Sequence, residues 1–236
     1  MPNDMKDTIE LVNTTASRLG ELLSGLDEQQ WSANSACEGW MVADAAAHVT
    51  ASASTWATNI ARAMAGDSGP PEGQSFMTPG ERGSSGLAQT AIMYREESGS
   101  KLLDNFTLGY AGLKEQMAKL REEDWEKPCF HRRGPLPIGD YVALRVQELT
   151  VHGWDIRWGL DPDAEIWPEP LALMVGRVPR WLSNAFRPGL DLPTPVRYRF
   201  DVDGPVAVKE DLVVTGDAFQ AEAKASGDAD AVFLCD

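Results

Sequence analysis

Residues 4–26 read DMKDTIELVNTTASRLGELLSGL and contain the clearest helical pattern in the sequence. Apolar residues recur there at spacings of three and four, which places them on one face of a helix; they are Ile9, Val12, Ala16, Leu19, Leu23 and Leu26. Similar patterns predict long helices over residues 42–64, 87–120 and 137–160, the second of which is interrupted near Gly99. Four long amphipathic helices in succession are typical of a four-helix bundle.

The sequence changes character after residue 164. A helical pattern over residues 168–187 ends at Pro188 and Gly189, and strand patterns follow it. These strand patterns cover residues 196–202, 212–214 and 231–234. We therefore expect an α+β protein, with a four-helix bundle over residues 1–164 and a small α/β domain over residues 165–236. Because an apolar strand pattern lies so close to residue 236, the sequence leaves open whether the second domain is complete.

The composition excludes several classes of function. The 36 acidic residues outnumber the 21 basic ones, and the resulting net charge of −15 repels phosphate backbones and anionic membranes. The three cysteines, Cys37, Cys129 and Cys235, are too few for a disulfide framework or a cysteine-rich zinc site, and they suit a reducing compartment. The sequence contains no apolar run of 18 residues, and residues 1–10 lack the apolar core of a signal peptide, so we expect neither a membrane span nor a signal peptide. We expect a cytoplasmic protein with neither nucleic acid nor membrane as a partner.

Two of the three histidines lie in predicted helices of the bundle, and one of them has a carboxylate at helical spacing. Glu148 and His152 are four residues apart, which places both side chains on one helix face, and His48 lies in another helix of the bundle. Two imidazoles and one carboxylate are a ligand set of catalytic zinc, with a fourth position left open. The same pattern also fits a chance Glu-x-x-x-His pair and a histidine in the core, but the scarcity of histidines favours a metal site.

Two segments of the chain resemble a known family. Residues 37–48, CEGWMVADAAAH, resemble the C-x-G-W-x-V-x-D-x-x-x-H signature of the maleylpyruvate isomerase N-terminal domain. Residues 134–141, GPLPIGDY, and residues 148–156, ELTVHGWDI, resemble its second signature, which ends in E-x-x-x-H-x-W-D. The resemblance covers residues 8–160 and implies a DinB-like metal-binding four-helix bundle, many relatives of which use mycothiol.

The resemblance also implies a set of site residues and a reaction. His48, Glu148 and His152 become zinc ligands, and Asp155 either accepts a hydrogen bond from a ligand imidazole or simply lies near the helix end. The implied enzyme is a thiol-dependent cis–trans isomerase of the maleylpyruvate isomerase type. In it a metal-activated low-molecular-weight thiol, mycothiol by resemblance, adds reversibly to a cis-enoyl diacid.

Two alternatives use the same metal site. One is a thiol S-transferase, in which the thiol stays on the electrophile. The other is a non-catalytic, metal-containing bundle that binds a ligand. In either enzyme the partners are a small-molecule thiol and a small anionic substrate, and the sequence is compatible with a monomer or a homodimer. Residues that act catalytically on the substrate, or bind the thiol, are not identified by these patterns.

Further side chains have open roles. A dianionic substrate requires cations, for which the candidates are Arg82, Arg177, Arg180, Arg187, Arg197 and Arg199. His131 lies on a predicted loop, where it either faces solvent or approaches the site. Cys37 is either a reactive thiol or a small buried side chain beside Trp40. Trp40 and Trp154 are expected to pack at helix ends, and Met41 leaves the second long helix without a capping hydroxyl.

Overall fold

The structure is a computed structural model that describes residues 4–77, 86–178, 186, 189, 191–204, 206–222 and 227–235. The helices in these residues are α1 (Met5–Ser24), α2 (Glu28–Trp31), α3 (Val42–Met64), α4 (Leu87–Ser98), α5 (Leu102–Met117), α6 (Ile138–Leu160) and α7 (Leu171–Val175). The strands are β1 (Pro128–Cys129), β2 (Leu136–Pro137), β3 (Val196–Val202), β4 (Val208–Val214), β5 (Phe219–Glu222) and β6 (Ala231–Cys235). The chain divides into two compact units, the first ending at Pro170 and the second beginning at Leu171.

The first unit is a bundle of the four long helices α1, α3, α5 and α6. α3 packs against α5 and α6, and α1 packs against the same two helices, so each helix has two neighbours in the bundle. Apolar side chains on the facing surfaces form the core, among them Val12, Leu19, Val49, Ile60, Leu113 and Leu149. Burial of this apolar surface is the main favourable term in folding. The predicted four-helix bundle is confirmed. Among the described residues, no helix is both long and apolar enough to cross a bilayer.

The helix predicted over residues 87–120 is divided into α4 and α5 by a 3₁₀ turn at Gly99–Lys101. Gly99 adopts a φ of 51°, a left-handed value that a residue with a Cβ reaches only at a cost of about 1–2 kcal/mol. Glycine therefore permits the chain to change direction there. The interruption predicted at this position is confirmed, and α5 ends at Met117 rather than at Leu120.

The start of α3 is fixed by a carboxylate rather than by a hydroxyl. Met41 has no side-chain hydroxyl, and among the described contacts its side chain makes no capping hydrogen bond to the helix, as predicted. Instead, Asp44 Oδ2 accepts the Met41 backbone N–H at 2.9 Å, and Arg95 Nε donates to Asp44 Oδ1 at 2.7 Å. A carboxylate in the first turn also interacts favourably with the helix dipole. α3 therefore begins at a defined point, six residues before His48.

In the described part of the second unit, four strands form a sheet in the order β5-β4-β3-β6. β3 pairs antiparallel with β4 and parallel with β6, and β4 pairs antiparallel with β5. The three predicted strand segments are confirmed, although β4 begins earlier, at Val208. β5 was not predicted because its four residues are too few to show an alternating pattern. Of the helix predicted over 168–187, α7 is described, whereas residues 179–185 and 187–188 lie outside the described residues.

The sheet contains a buried ion-pair cluster centred on Asp211, which is inaccessible to solvent. Arg197 Nη1 donates to Asp211 Oδ2 at 2.8 Å, and Arg199 Nε donates to Asp211 Oδ1 at 2.8 Å. Arg197 Nη1 also donates to Glu222 Oε2 at 2.7 Å. A buried carboxylate requires such partners because burial removes its hydration. Two of the arginines considered for substrate binding are therefore engaged in stabilising the sheet.

Candidate metal centre

The three predicted metal ligands come together between α3 and α6. His48 extends from α3, and Glu148 and His152 extend from α6, four residues apart on one face. Glu148 Oε2 lies 3.3 Å from His48 Nε2 and 3.6 Å from His152 Nε2. The centroids of the two imidazole rings are 4.7 Å apart, with the rings nearly perpendicular. The geometry therefore directs one atom of each side chain toward a common point.

The distances from Glu148 Oε2 to the two imidazole nitrogens fit a single tetrahedral ion, and one ligand atom from each of the three residues lies within 4.8 Å of the others. Zinc bonds to nitrogen and oxygen of about 2.0–2.1 Å at a tetrahedral angle place two ligand atoms about 3.3 Å apart. The distances of 3.3 and 3.6 Å to Glu148 Oε2 are close to that value. The side chains of His48 and His152 are 16% and 17% exposed and that of Glu148 is 34% exposed, so a small molecule can reach the site from solvent. The donor set and its spacing thus suit zinc with one open position.

Glu148 is held in its anionic form. Burial alone raises the pKa of this carboxyl group, but the hydrogen bond with His48 and the charges of His152 and Arg145 outweigh that effect and lower the pKa to about 2. A ligating carboxylate must be deprotonated. Glu148 meets this requirement throughout the physiological pH range.

Arg145, one turn before Glu148 on α6, is a buried cation that the sequence patterns did not identify. Its side chain is almost completely buried, and its guanidinium donates to Ser52 Oγ at 2.6 Å, to the Val49 carbonyl oxygen at 2.9 Å and to the Tyr110 hydroxyl. The guanidinium also lies over the ring of Trp56, 5.6 Å from its centroid. The signal in the sequence that could have revealed this buried cation is an arginine within the otherwise apolar stretch YVALRV, residues 141–146. Its positive charge favours the anionic form of Glu148.

Asp155 orients His152. Its Oδ2 lies 2.8 Å from His152 Nδ1, the distance of a charge-assisted N–H···O hydrogen bond. This separation is shorter than the roughly 3.3 Å expected for two ligands of one tetrahedral ion, so it indicates a hydrogen bond rather than shared coordination. Of the two roles considered for Asp155, the geometry supports that of hydrogen-bond acceptor. With Nδ1 donating to Asp155, Nε2 of His152 faces Glu148 and is the nitrogen available to a metal ion.

Two residues of the loop before α3 also line the site. The ring of Trp40 lies 5.5 Å from that of His48 and 6.0 Å from that of His152, centroid to centroid. Trp40 was expected to pack at a helix end, and its half-buried ring also forms a wall beside both imidazoles. Cys37 Sγ lies 3.1 Å from Asp155 Oδ2 and 3.9 Å from His152 Nδ1. Helical spacing cannot reveal contacts that a loop makes.

The surroundings of Cys37 disfavour its thiolate. Burial, the hydrogen bond to Asp155 and the negative charge of that carboxylate raise the pKa of the thiol to about 12. Because the thiolate is the nucleophilic form of cysteine, this environment argues against the reactive-thiol interpretation.

The other candidates are placed as follows. His131 Nδ1 accepts the backbone N–H of Arg133 at 3.3 Å, and His131 belongs to neither of the two groups of possible metal ligands in the described part of the chain. These groups are His48 with Glu148 and His152, and Cys37 with His152 and Asp155. Arg177 follows α7 in the second unit, whereas Arg82, Arg180 and Arg187 lie outside the described residues.

Comparisons with known proteins identify the family and the fold. Residues 12–157 match the family model of the mycothiol maleylpyruvate isomerase N-terminal domain. The fold is similar to the crystal structure of the mycothiol-dependent maleylpyruvate isomerase, with a TM-score of 0.63 and 16% identity over 88% of this chain and 79% of that chain. It is also similar to a histidine-to-alanine mutant of the mycothiol-dependent maleylpyruvate isomerase, with a TM-score of 0.61, the same 16% identity and the same coverage. No curated protein matches the chain.

Proposed function

The chain belongs to the family of the mycothiol maleylpyruvate isomerase N-terminal domain, and from that premise we propose that it is a thiol-dependent zinc enzyme of the maleylpyruvate isomerase type. The observation that carries the proposal is the convergence of His48, His152 and Glu148, in which Glu148 Oε2 lies 3.3 and 3.6 Å from the two Nε2 atoms, distances suited to ligands of one tetrahedral ion. The two similar crystal structures share the fold, and their names indicate the cofactor and the substrate class.

The chain's own residues would prepare the site in three ways. His48, Glu148 and His152 would hold zinc, which when bound supplies an open position where a low-molecular-weight thiol is stabilised as its thiolate. Two neutral imidazoles and one carboxylate leave a dication with a net charge of +1, which favours an anionic fourth ligand. Asp155 holds His152 in the tautomer that coordination requires. Trp40 excludes water from one side of the two imidazoles.

The proposed reaction is a cis–trans isomerisation in which the thiol is regenerated. The thiol, most specifically mycothiol, would form a C–S bond to one carbon of the cis double bond of a maleylpyruvate-like diacid, and the neighbouring carbon would take up a proton. The remaining C–C bond is single and rotates. Loss of that proton and cleavage of the C–S bond then give the trans isomer and return the thiol. Thiolates add far faster than thiols, so the reaction needs a site that stabilises the thiolate.

Turnover with recovery of the thiol tests the proposal. Zinc-loaded protein should convert maleylpyruvate to its trans isomer in the presence of a catalytic amount of mycothiol, and all of the thiol should be recovered. His48→Ala should abolish the conversion, whereas His131→Ala, outside the ligand group, should retain it. Consumption of the thiol into a stable thioether would favour an S-transferase. Zinc binding without conversion of any cis-enoyl diacid would favour a non-catalytic bundle.

A further inference from the structure

The thiol of Cys37 shares an acceptor with the metal ligand His152. Cys37 Sγ lies 3.1 Å from Asp155 Oδ2, and His152 Nδ1 lies 2.8 Å from the same oxygen. A thiolate and a carboxylate would repel each other at this separation, so the close approach places the thiol proton between sulfur and oxygen. Asp155 therefore accepts two hydrogen bonds, one from a metal-ligating imidazole and one from a thiol.

The loop that carries Cys37 is built onto α6 beside Asp155. The backbone N–H of Ala36 donates to the backbone carbonyl of Asp155 at 3.0 Å. Gly159, one turn further along α6, permits close approach of the loop, because a Cβ at that position would lie 2.2 Å from the carbonyl oxygen of Asn34. Backbone contacts at Asn34 and Ala36, just before Cys37, thus hold the loop against α6 beside Asp155, which makes the S–H···O contact a defined part of the fold.

The loop is also ordered internally. The Ser35 backbone N–H and hydroxyl both donate to the Trp40 carbonyl oxygen, at 2.9 and 3.0 Å, and the Cys37 backbone N–H donates to Ser35 Oγ at 3.2 Å. The same short loop therefore supplies both Trp40, which contacts the two imidazoles, and Cys37, which contacts the carboxylate behind one of them.

We propose that Cys37 is a positioning residue of the metal centre, whose S–H group holds the Asp155 carboxylate so that Asp155 in turn fixes His152 with Nε2 directed at His48 and Glu148. The expected effect of Cys37 on zinc affinity rests on the proposed function. The hydrogen bond from Cys37 to Asp155 rests on the structure alone. Cys37 acts through hydrogen bonds and does not bind the metal or attack a substrate. Asp155 supports the ligand His152 directly, and Cys37 supports Asp155 in turn through a second hydrogen bond.

Infrared spectroscopy of the metal-free protein tests the premise. The S–H stretching band of Cys37, isolated as the wild type minus Cys37→Ala difference spectrum, should be shifted to lower frequency than the band of Cys129. Cys129 Sγ donates to the carbonyl oxygen of Phe130 at the long distance of 3.9 Å. Asp155→Asn should move the Cys37 band to higher frequency. A Cys37 band at the frequency of the Cys129 band, or one whose frequency is the same in Asp155→Asn as in the wild type, would overturn the inference whether or not the protein binds zinc.

Zinc affinity, measured by competition with a chromophoric chelator, tests the consequence. Asp155→Asn should weaken zinc binding by roughly 10–100-fold, as is typical of residues that support a ligand histidine. Cys37→Ala, one step further out, should weaken it by about fivefold to tenfold. Cys37→Ser restores a donor and should recover most of the affinity, and Cys129→Ala should leave the affinity unchanged.

The outcomes separate this inference from the proposed function. If the wild-type protein binds no zinc but shows the shifted S–H band, the proposed zinc-dependent function is refuted, whereas the hydrogen bonds that link Cys37, Asp155 and His152 are supported. Tight zinc binding that is equal in wild type and Cys37→Ala would refute the positioning role and keep the zinc site. A Cys37→Ser variant as weak as Cys37→Ala, with thermal stability equal to that of the wild type, would also contradict the role of the donor.

Discussion

At the scale of single residues, metal binding at the candidate centre requires the correct atom of each side chain, in the correct protonation state, to face the metal position. His152 can bind metal through Nε2 only if Nδ1 carries the proton, and Asp155 at 2.8 Å from Nδ1 enforces that arrangement. Glu148 can bind only as an anion, and its neighbours His48, His152 and Arg145 stabilise that form. The site is therefore prepared for a cation before any metal arrives.

The lowered pKa of Glu148 predicts a pH-dependent contribution to stability. A carboxyl group whose pKa falls from 4.5 to about 2 on folding stabilises the native state above pH 4.5 and loses that effect as the pH falls through about 2. In metal-free protein, the difference in free energy of unfolding between wild type and Glu148→Gln should therefore shrink on acidification. Urea unfolding at several pH values measures it, with the exposed Glu126→Gln as a control for removal of a surface carboxylate. A difference that grows on acidification would contradict the assignment.

The sequence predicted the convergence of His48, Glu148 and His152 because helical spacing and bundle packing determine which side chains face inward. It did not predict the surroundings of these residues. Arg145 reaches across to α3 and α5, and Trp40 and Cys37 approach from a loop, so their contacts depend on tertiary packing. Spacing along one helix carries no information about such contacts.

At the scale of elements, α6 and the loop before α3 are fitted to each other. Gly159 allows the carbonyl group of Asn34 to approach the helix, and the Ala36 N–H···O=C bond to Asp155 fixes the register of the loop against α6. The sequence predicted the four long helices and the break at Gly99, because periodicity and glycine are local signals. It missed the short helix α2 and the strand β5, which are too brief to show a period.

Gly159→Ala should disturb this fit. The added Cβ would lie 2.2 Å from the Asn34 carbonyl oxygen, so the loop must move, at a cost of about 1–3 kcal/mol in stability. Zinc affinity should fall as well, because Cys37 and Trp40 move with the loop. Gly112→Ala on α5 is the matched control, since its Cβ would meet open space among the described residues, and it should stabilise the helix by up to about 1 kcal/mol. Equal thermal midpoints for the two variants would show that the close approach is unimportant.

At the scale of the whole molecule, the candidate metal ligands found among the described residues all belong to the first unit, which ends at Pro170. The second unit has its own stabilising centre at Asp211. The sequence predicted a helix and strands there, but the ion pairs between β3 and β4 depend on a register that places Arg199 opposite Asp211. Candidate substrate-binding arginines could therefore not be distinguished from structural ones by sequence.

Asp211→Ala should destabilise the sheet and leave the metal centre intact. Loss of the carboxylate removes the acceptor that Arg197 and Arg199 share, so the free energy of unfolding of the sheet should fall. Zinc affinity should equal that of the wild type. Asp217→Asn, at an exposed position in the turn before β5, is the control and should change neither quantity. A parallel loss of zinc affinity in Asp211→Ala would contradict the placement of the centre within the first unit.

The zinc content of the purified protein tests the central claim most directly. Elemental analysis after incubation with zinc and removal of excess metal should find about one zinc per chain in the wild type and in His131→Ala. His48→Ala and His152→Ala should each lose it while keeping the helical content of the wild type. Absence of zinc from the wild type, or equal zinc in His152→Ala, would contradict a centre formed by His48, Glu148 and His152.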